Sequence, residues 1–262
     1  MDPVGRAVPD KRWRREVKLL VHPDIRAEII DWLSALLPPD PVAPAGYRVR
    51  SLYYDSDDLV AYRLKKDGVR RRFKLRLRAY GDEAGGTLQT DDRGFLEVKW
   101  KLGDLVWKER VEGGLSDLDR LTREGYVDSG LESLPMLLAG HDFAPKSIVE
   151  YQRQAFQDEA YRVTMDGPVY GQAAPRLSTF LENRKAGKSL ITRRYSVLEF
   201  KFQRSLPIWQ RDLVRRWNLP VATFSKYGES INMILRSRPY HLALMPIKPV
   251  NDDVLAGLQW RD

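Results

Sequence analysis

Phe73-Lys74-Leu75-Arg76-Leu77-Arg78-Ala79-Tyr80 alternates apolar and basic residues along its length. Successive side chains of a β-strand point to opposite faces. Phe73, Leu75 and Leu77 therefore share one face of a strand, and Lys74, Arg76 and Arg78 share the other. The same alternation recurs down the chain. Leu96, Val98 and Trp100 oppose Glu97, Lys99 and Lys101, and Lys108 falls with Arg110. Val163 and Met165 oppose Arg162, Thr164 and Asp166, while Leu198, Phe200 and Phe202 oppose Glu199 and Lys201. Glu16 and Lys18 share one face of the first strand. For a single strand the ordinary reading is a solvated sheet face. Here the polar faces are almost purely Arg and Lys with an isolated carboxylate on some strands. Side by side on an open sheet they would repel across each strand pair. They make sense around an anion.

Composition narrows the classes. The 262 residues are 43% hydrophobic, enough for a core, with 44 Lys and Arg against 36 Asp and Glu, a net charge of +8. That excess asks for an anionic partner. With no Cys, disulfide scaffolds, thiolate metal sites and thiol nucleophiles are excluded, and three scattered His (His22, His141, His241) argue against an imidazole-built metal site. Any metal must sit on oxygen. The longest apolar patch, Ile29–Leu37, is interrupted by Asp31 and Ser34, far short of the roughly 20 residues of a membrane helix. Nor does the start read as a signal peptide. The expected location is cytoplasmic.

Turn and cap signals organise the rest into one α+β domain. Residues 1–11 are expected to be a disordered tail, residues 12–238 the folded domain, and residues 239–262 a C-terminal extension. Strands are expected over Trp13–Val21, Tyr47–Tyr54, Val69–Tyr80, Gly94–Lys101, Leu105–Val111, Ile148–Phe156, Tyr161–Asp166 and Arg193–Phe202, with a hairpin at Gly103-Asp104. Helices are expected after His22-Pro23-Asp24 with Asp24 near the N-cap, over Leu59–Lys66, from Ser116 as N-cap to Arg123, over Pro207–Trp217, and from Ser225 as N-cap to Arg236. If the sheet closes with its charged parity inward, the result is a basic tunnel. Arg forks and Lys point charges would grip phosphates there, and the few carboxylates would hold a divalent cation.

These residues resemble, in order, the catalytic domain of the vacuolar transporter chaperone (VTC) family. The resemblance is carried by Glu16-Val17-Lys18, Tyr47–Asp55, Lys74–Tyr80, Phe95–Lys99, Lys108-Glu109-Arg110, Tyr151–Phe156, Arg162–Asp166, Leu198–Lys201 and Phe224–Tyr227. It implies the CYTH-like triphosphate tunnel metalloenzyme fold, a closed antiparallel eight-stranded β-tunnel with helices packed outside. It also implies a polyphosphate polymerase that transfers the γ-phosphate of ATP to a growing polyphosphate chain with Mn²⁺ or Mg²⁺. Position by position, Arg76, Arg78, Arg153 and Lys226 correspond to catalytic residues. Lys18, Lys99, Lys108, Arg110 and Tyr151 correspond to phosphate binders, to which the inward parity adds Lys74, Arg162 and Lys201. Glu199 corresponds to the metal-binding carboxylate, with Glu16, Glu97 and Asp166 as further candidates; Glu97 and Asp166 could equally neutralise a neighbouring Arg. Arg14 stands two residues before Glu16, where the wider superfamily has a carboxylate, and this favours a transferase over a two-metal hydrolase.

The expected partners are ATP and inorganic polyphosphate. No SPX-like domain or membrane segment is recognisable, which suggests a separately encoded membrane partner. Nucleic-acid binding is disfavoured because Glu16, Glu97 and Glu199 would face the backbone phosphates and the strand aromatics lie mostly on the apolar parity. A hydrolase of tripolyphosphate or nucleoside triphosphate, and a non-catalytic polyphosphate-binding module, remain as alternatives. Bland roles are expected elsewhere: His22 at a helix entry, Glu109 as an outside ion-pair partner, Asp55, Asp57 and Asp58 as caps, Arg70–Arg72 as a solvated strand entry, and Trp32, Trp209 and Trp217 in helix packing.

Overall fold

The alternating stretch is the third strand of a sheet that closes on itself. The computed structural model describes residues 10–81, 88–125, 130–182, 187–191 and 195–237. The strands are β1 (Asp10–Val21), β2 (Tyr47–Asp55), β3 (Arg71–Gly81), β4 (Arg93–Leu102), β5 (Leu105–Gly114), β6 (Ala144–Gln157), β7 (Tyr161–Ala173), β8 (Lys188–Ser189) and β9 (Ser196–Phe202). Their order is β6-β2-β3-β4-β5-β1-β9-β7, and a further β6–β7 pairing joins the two ends. Eight antiparallel strands thus make a ring without an edge, which leaves no unpaired ladder exposed to other chains. The two-residue β8 pairs with Tyr170 and Gly171, beyond the part of β7 that pairs with β9.

Because the basic parity points inward, the apolar core lies outside the barrel. Helices α1 (Arg26–Ser34), α2 (Val60–Lys66), α3 (Leu115–Glu124), α4 (Leu134–Gly140), α5 (Leu177–Leu181), α6 (Ile208–Trp217) and α7 (Lys226–Ser237) supply the cover. One apolar layer packs Phe73, Leu75, Leu77, Leu96, Val98 and Trp100 against residues of α2, α3, α4 and α7. A second packs Leu19, Val163, Met165, Leu198 and Phe200 against α1 and α6. There Trp32 meets both Trp209 and Trp217 edge-on, in the packing role expected of them.

The local signals hold with instructive shifts. Gly103 takes a φ of +56° in the two-residue β4–β5 turn, a conformation favourable to glycine. Ser116 is not the cap of α3: the helix starts at Leu115 after Gly114, and the backbone carbonyls of Asp92 and Thr90 accept from the Leu115 and Ser116 N–H groups. With those donors satisfied by a loop, a hydroxyl cap is unnecessary. At the first helix the cap is His22, whose Nδ1 accepts from Asp24 N at 3.3 Å, so Asp24 lies inside a 3₁₀ turn instead of capping it. Asp55 does cap α2, accepting from Ala61 N and Tyr62 N at 2.9 and 3.0 Å, and it also accepts from the Tyr227 hydroxyl of α7. Burial pushes its carboxyl up to about 6 against these donors. Glu109 lies outside the barrel as expected, where it accepts from Ser133 N and Oγ at the start of α4. The first strand begins at Asp10 and the last at Ser196. Residues 10 and 11, expected in the disordered tail of residues 1–11, are instead part of β1, which is longer than its alternating signal. The rest of that tail, the extension at 239–262 and the strand start at Arg193 lie outside the described residues.

Trp100 is fully buried, stacked on Trp107, and donates through Nε1 to Ser133 Oγ at 3.1 Å. Trp100→Ala is expected to lower the unfolding free energy by about 3–5 kcal/mol in denaturant titrations.

Candidate functional site

The barrel interior holds a cavity of about 290 Å³ whose wall carries twelve Lys and Arg side chains and two carboxylates. Each strand of the ring contributes through its inward parity: Glu16 and Lys18 from β1, Tyr47 and Tyr53 from β2, Lys74, Arg76 and Arg78 from β3, and Lys99 from β4. Lys108 and Arg110 come from β5, Tyr151 and Arg153 from β6, Arg162 from β7, and Glu199 and Lys201 from β9. Lys226, the first residue of α7, also lines it. All expected phosphate-binding and catalytic residues therefore converge in one cavity.

Two of the four candidate carboxylates lie behind the wall. Glu97 is fully buried; its Oε2 accepts from Arg76 Nε at 2.8 Å and Nη2 at 2.7 Å, its Oε1 accepts from Lys108 at 3.2 Å, and Arg78 Nη1 lies at 3.7 Å. Asp166, also fully buried, receives a bidentate pair from Arg153 at 2.6 and 2.7 Å and a third bond from Lys226 at 2.7 Å. Such forks fix guanidinium orientation as well as charge. These carboxylates anchor the basic wall. Despite burial, the Arg and Lys neighbours hold the Glu97 and Asp166 carboxyls below the usual carboxylate range.

Lys226 is placed by α7 itself. Ser225 caps the helix, accepting from Gly228 N at 3.1 Å, and also accepts from Lys74 Nζ at 3.0 Å. The Lys226 ammonium sits 4.7 Å from the Tyr151 ring centroid. Burial opposes its charge, and Asp166 with Tyr151 more than offsets that, so its pKa is raised. A lysine at a helix N-terminus sits against the helix dipole. Lys226 and the helix end therefore add their positive potential to the same cavity.

The wall is electrostatically unbalanced. Burial, with Lys18, Lys99 and Arg76 nearby, drives Lys74 well below the ordinary lysine range. Burial does the same to Lys201 despite Glu199. Lys74 faces Lys99 across the β3–β4 ladder, and Lys99 faces Lys108 across β4–β5. Directly opposed like charges are destabilising unless an anion lies between them.

Glu16 and Glu199 are the carboxylates that reach the cavity. Glu16 accepts from Lys99 at 2.9 and 2.8 Å, and Glu199 lies 3.9 Å from Lys201. They come from adjacent strands and influence each other's charge. Two oxygen donors without His or Cys fit a hard divalent cation that takes its other ligands from phosphate oxygens and water. Among the described residues no cluster of three or more acidic, His or Cys side chains forms a complete metal cage.

Arg14, Tyr47, Tyr53 and Tyr80 also line the cavity but are absent from the candidates read from the sequence. The parity that selects Lys74, Arg76 and Arg78 extends to Tyr80, and that of Glu16 and Lys18 extends back to Arg14. Tyr47 and Tyr53 share a parity on β2, but the uncharged Ser51 between them breaks the signal.

The VTC domain family matches residues 13–235 of the chain. No curated protein matches it. Among solved structures, a candidate adenylate cyclase from Vibrio parahaemolyticus is similar at 14% identity and a TM-score of 0.42, covering 83% of this chain and 98% of that one. A protein from Pyrococcus horikoshii is also 14% identical at 0.42, covering 81% and 96%. A candidate adenylate cyclase from Bacillus halodurans is 15% identical at 0.39, covering 90% and 95%. Among the described residues no helix is long and apolar enough to cross a membrane.

Opposite stability effects are expected from two inward substitutions. Glu97→Gln strands Arg76, Arg78 and Lys108 and should cost about 3–5 kcal/mol. Glu97's contribution is full above its unfolded value of about 4.3 and is lost as pH falls from there toward the depressed folded value. The difference between wild type and variant should therefore shrink in acid. Lys74→Met removes a poorly solvated like charge and should raise stability by about 1 kcal/mol at pH 7 while weakening phosphate binding. Denaturant titrations at several pH values check both.

Proposed function

We propose a polyphosphate polymerase for this chain, which belongs to the VTC domain family. The observation that carries this reading is the convergence of twelve basic side chains on one cavity, anchored from behind by Glu97 and Asp166. Phosphoryl transfer asks for in-line positioning and neutralisation of the transferred group's charge more than for a covalent nucleophile. Arg76, Arg78 and Arg153 supply forks held in place beforehand, and Lys18, Lys74, Lys99 and Lys201 supply point charges. Lys226, tied to Asp166, places an ammonium against the γ-phosphate. In the step itself a terminal oxygen of polyphosphate bonds to the γ-phosphorus of ATP while the β–γ bridging P–O bond breaks, and ADP leaves. Glu16 and Glu199 would hold Mn²⁺ or Mg²⁺, which when bound neutralises phosphate charge.

Transfer to polyphosphate suits this cavity better than hydrolysis. Glu16, Glu97 and Asp166 are committed to Lys or Arg partners and Glu199 lies against Lys201, so among the described residues no carboxylate of the wall stands free to act as a base toward water. A polyphosphate acceptor is already ionised and needs no base. Partners follow from the same chemistry: ATP and inorganic polyphosphate inside the barrel, and a separately encoded membrane protein outside it if the product is exported.

Purified protein given ATP and Mn²⁺ is expected to release ADP and build a ladder of polyphosphate on gels. Lys226→Ala and Glu199→Gln should each lower turnover by about 10²–10³-fold. Free phosphate as the sole second product would establish a hydrolase instead.

A further inference from the structure

Four tyrosines line the cavity, and they do not offer the same surface. Tyr53 is buried and stacked on Tyr227, with ring centroids 4.9 Å apart and planes at 22°. Tyr151 is buried beneath Arg153 and Lys226, at 5.3 and 4.7 Å from its centroid. Neither ring is open to solvent. Tyr47 and Tyr80 instead stand together where β2 begins and β3 ends, edge to face at 5.6 Å, and Tyr80 meets Phe95 at the start of β4 at 5.7 Å. Arg110 lies 4.8 Å over the Phe95 ring, Arg78 lies 5.9 Å over the Tyr80 ring, and Arg162 donates to the Tyr47 hydroxyl at 3.4 Å. Tyr80 keeps 39% of its surface exposed, one of few large apolar side chains to do so.

The opposite end of the barrel has a different character. The segment leading into α7 crosses it: Leu20 N donates to Pro220 O, Ala222 N donates to Lys18 O, and Lys18 Nζ donates to Phe224 O. Lys74 is held there by Ser225. The aromatic cluster thus marks one end, and the α7 entry with its lysines marks the other.

We infer that Tyr80, supported by Tyr47 and Phe95, is the resting surface of the nucleobase, so that the nucleotide enters at this end with its phosphates pointing inward. The inference rests on the proposed use of ATP and assigns the non-phosphate part of that substrate a place. Along β3, Arg76 lies four residues inward from Tyr80, about 14 Å at the strand rise. That matches the reach of an extended nucleoside triphosphate from base to γ-phosphate. Arg76 donates to the Tyr53 hydroxyl at 3.3 Å, so the inner end of this span lies beside Tyr53 on the cavity wall. Stacking on an aromatic face is tolerant of base identity because every base has a π-face. Recognition of purines over pyrimidines should therefore be graded by stacking area, with no sharp choice between adenine and guanine.

Calorimetric titrations with ATP and with inorganic tripolyphosphate, on wild type, Tyr80→Ala and Tyr80→Phe, test this. Tyr80→Ala should weaken ATP about tenfold, within the range of aromatic–base stacking, and leave tripolyphosphate within about twofold. Tyr80→Phe, which keeps the ring, should bind ATP as wild type does. Equal weakening of both ligands by Tyr80→Ala, or of neither, overturns the stacking surface while the phosphate-binding reading stands. Wild type that binds neither ligand overturns both.

Discussion

Everything inside the barrel depends on a charge imbalance that the fold makes permanent. Closing eight antiparallel strands forces every second residue inward, and here that parity is basic on nearly every strand. Two buried carboxylates, Glu97 and Asp166, take up part of that charge by binding Arg76, Lys108, Arg153 and Lys226. They cannot take up all of it. The depressed lysines at 74 and 201 record what is left over. An interior built this way is stabilised by the anion it binds, because binding to the folded state alone adds to its stability.

The same arrangement explains the inverted anatomy. An ordinary barrel of this size fills its interior with apolar side chains. Here the interior is given to charge, so stability must come from the outer face. Among the described residues, seven helices and two apolar layers provide it. Asp55 ties these layers to the cavity: it caps α2 and accepts from Tyr227, the neighbour of Lys226. Core and site are joined at that point.

Most of this was legible in the sequence because a period of two is unambiguous when one parity is charged. Lys74, Arg76 and Arg78 announce their shared face, and so do Lys108 and Arg110. What escaped was less periodic. Tyr47 and Tyr53 are separated by Ser51, whose hydroxyl accepts from Arg78 at 3.3 Å and leaves no charge signature. The β6–β7 hairpin is legible from its turn at Gln157–Ala160, but ring closure also needs the long-range β2–β6, β1–β5, β1–β9 and β7–β9 pairings, and no local pattern encodes those. Nor could parity separate a carboxylate that reaches the cavity from one buried behind it. Glu97 and Glu199 look alike in sequence, and only the convergence of Arg76, Arg78 and Lys108 sets Glu97 apart. The caps at His22 and Gly114 differ from expectation because tertiary carbonyls and an imidazole satisfied the helix ends first.

A barrel interior lined in this way should act as a single site for condensed phosphate. Phosphorus NMR of inorganic tripolyphosphate titrated with the protein tests it most directly. One bound molecule per chain is expected, with resonances shifted from the free ligand, and the Arg76→Ala/Arg153→Ala double variant should abolish it. Tripolyphosphate that stays free in solution, or binds many times over and indifferently to that double variant, would contradict it.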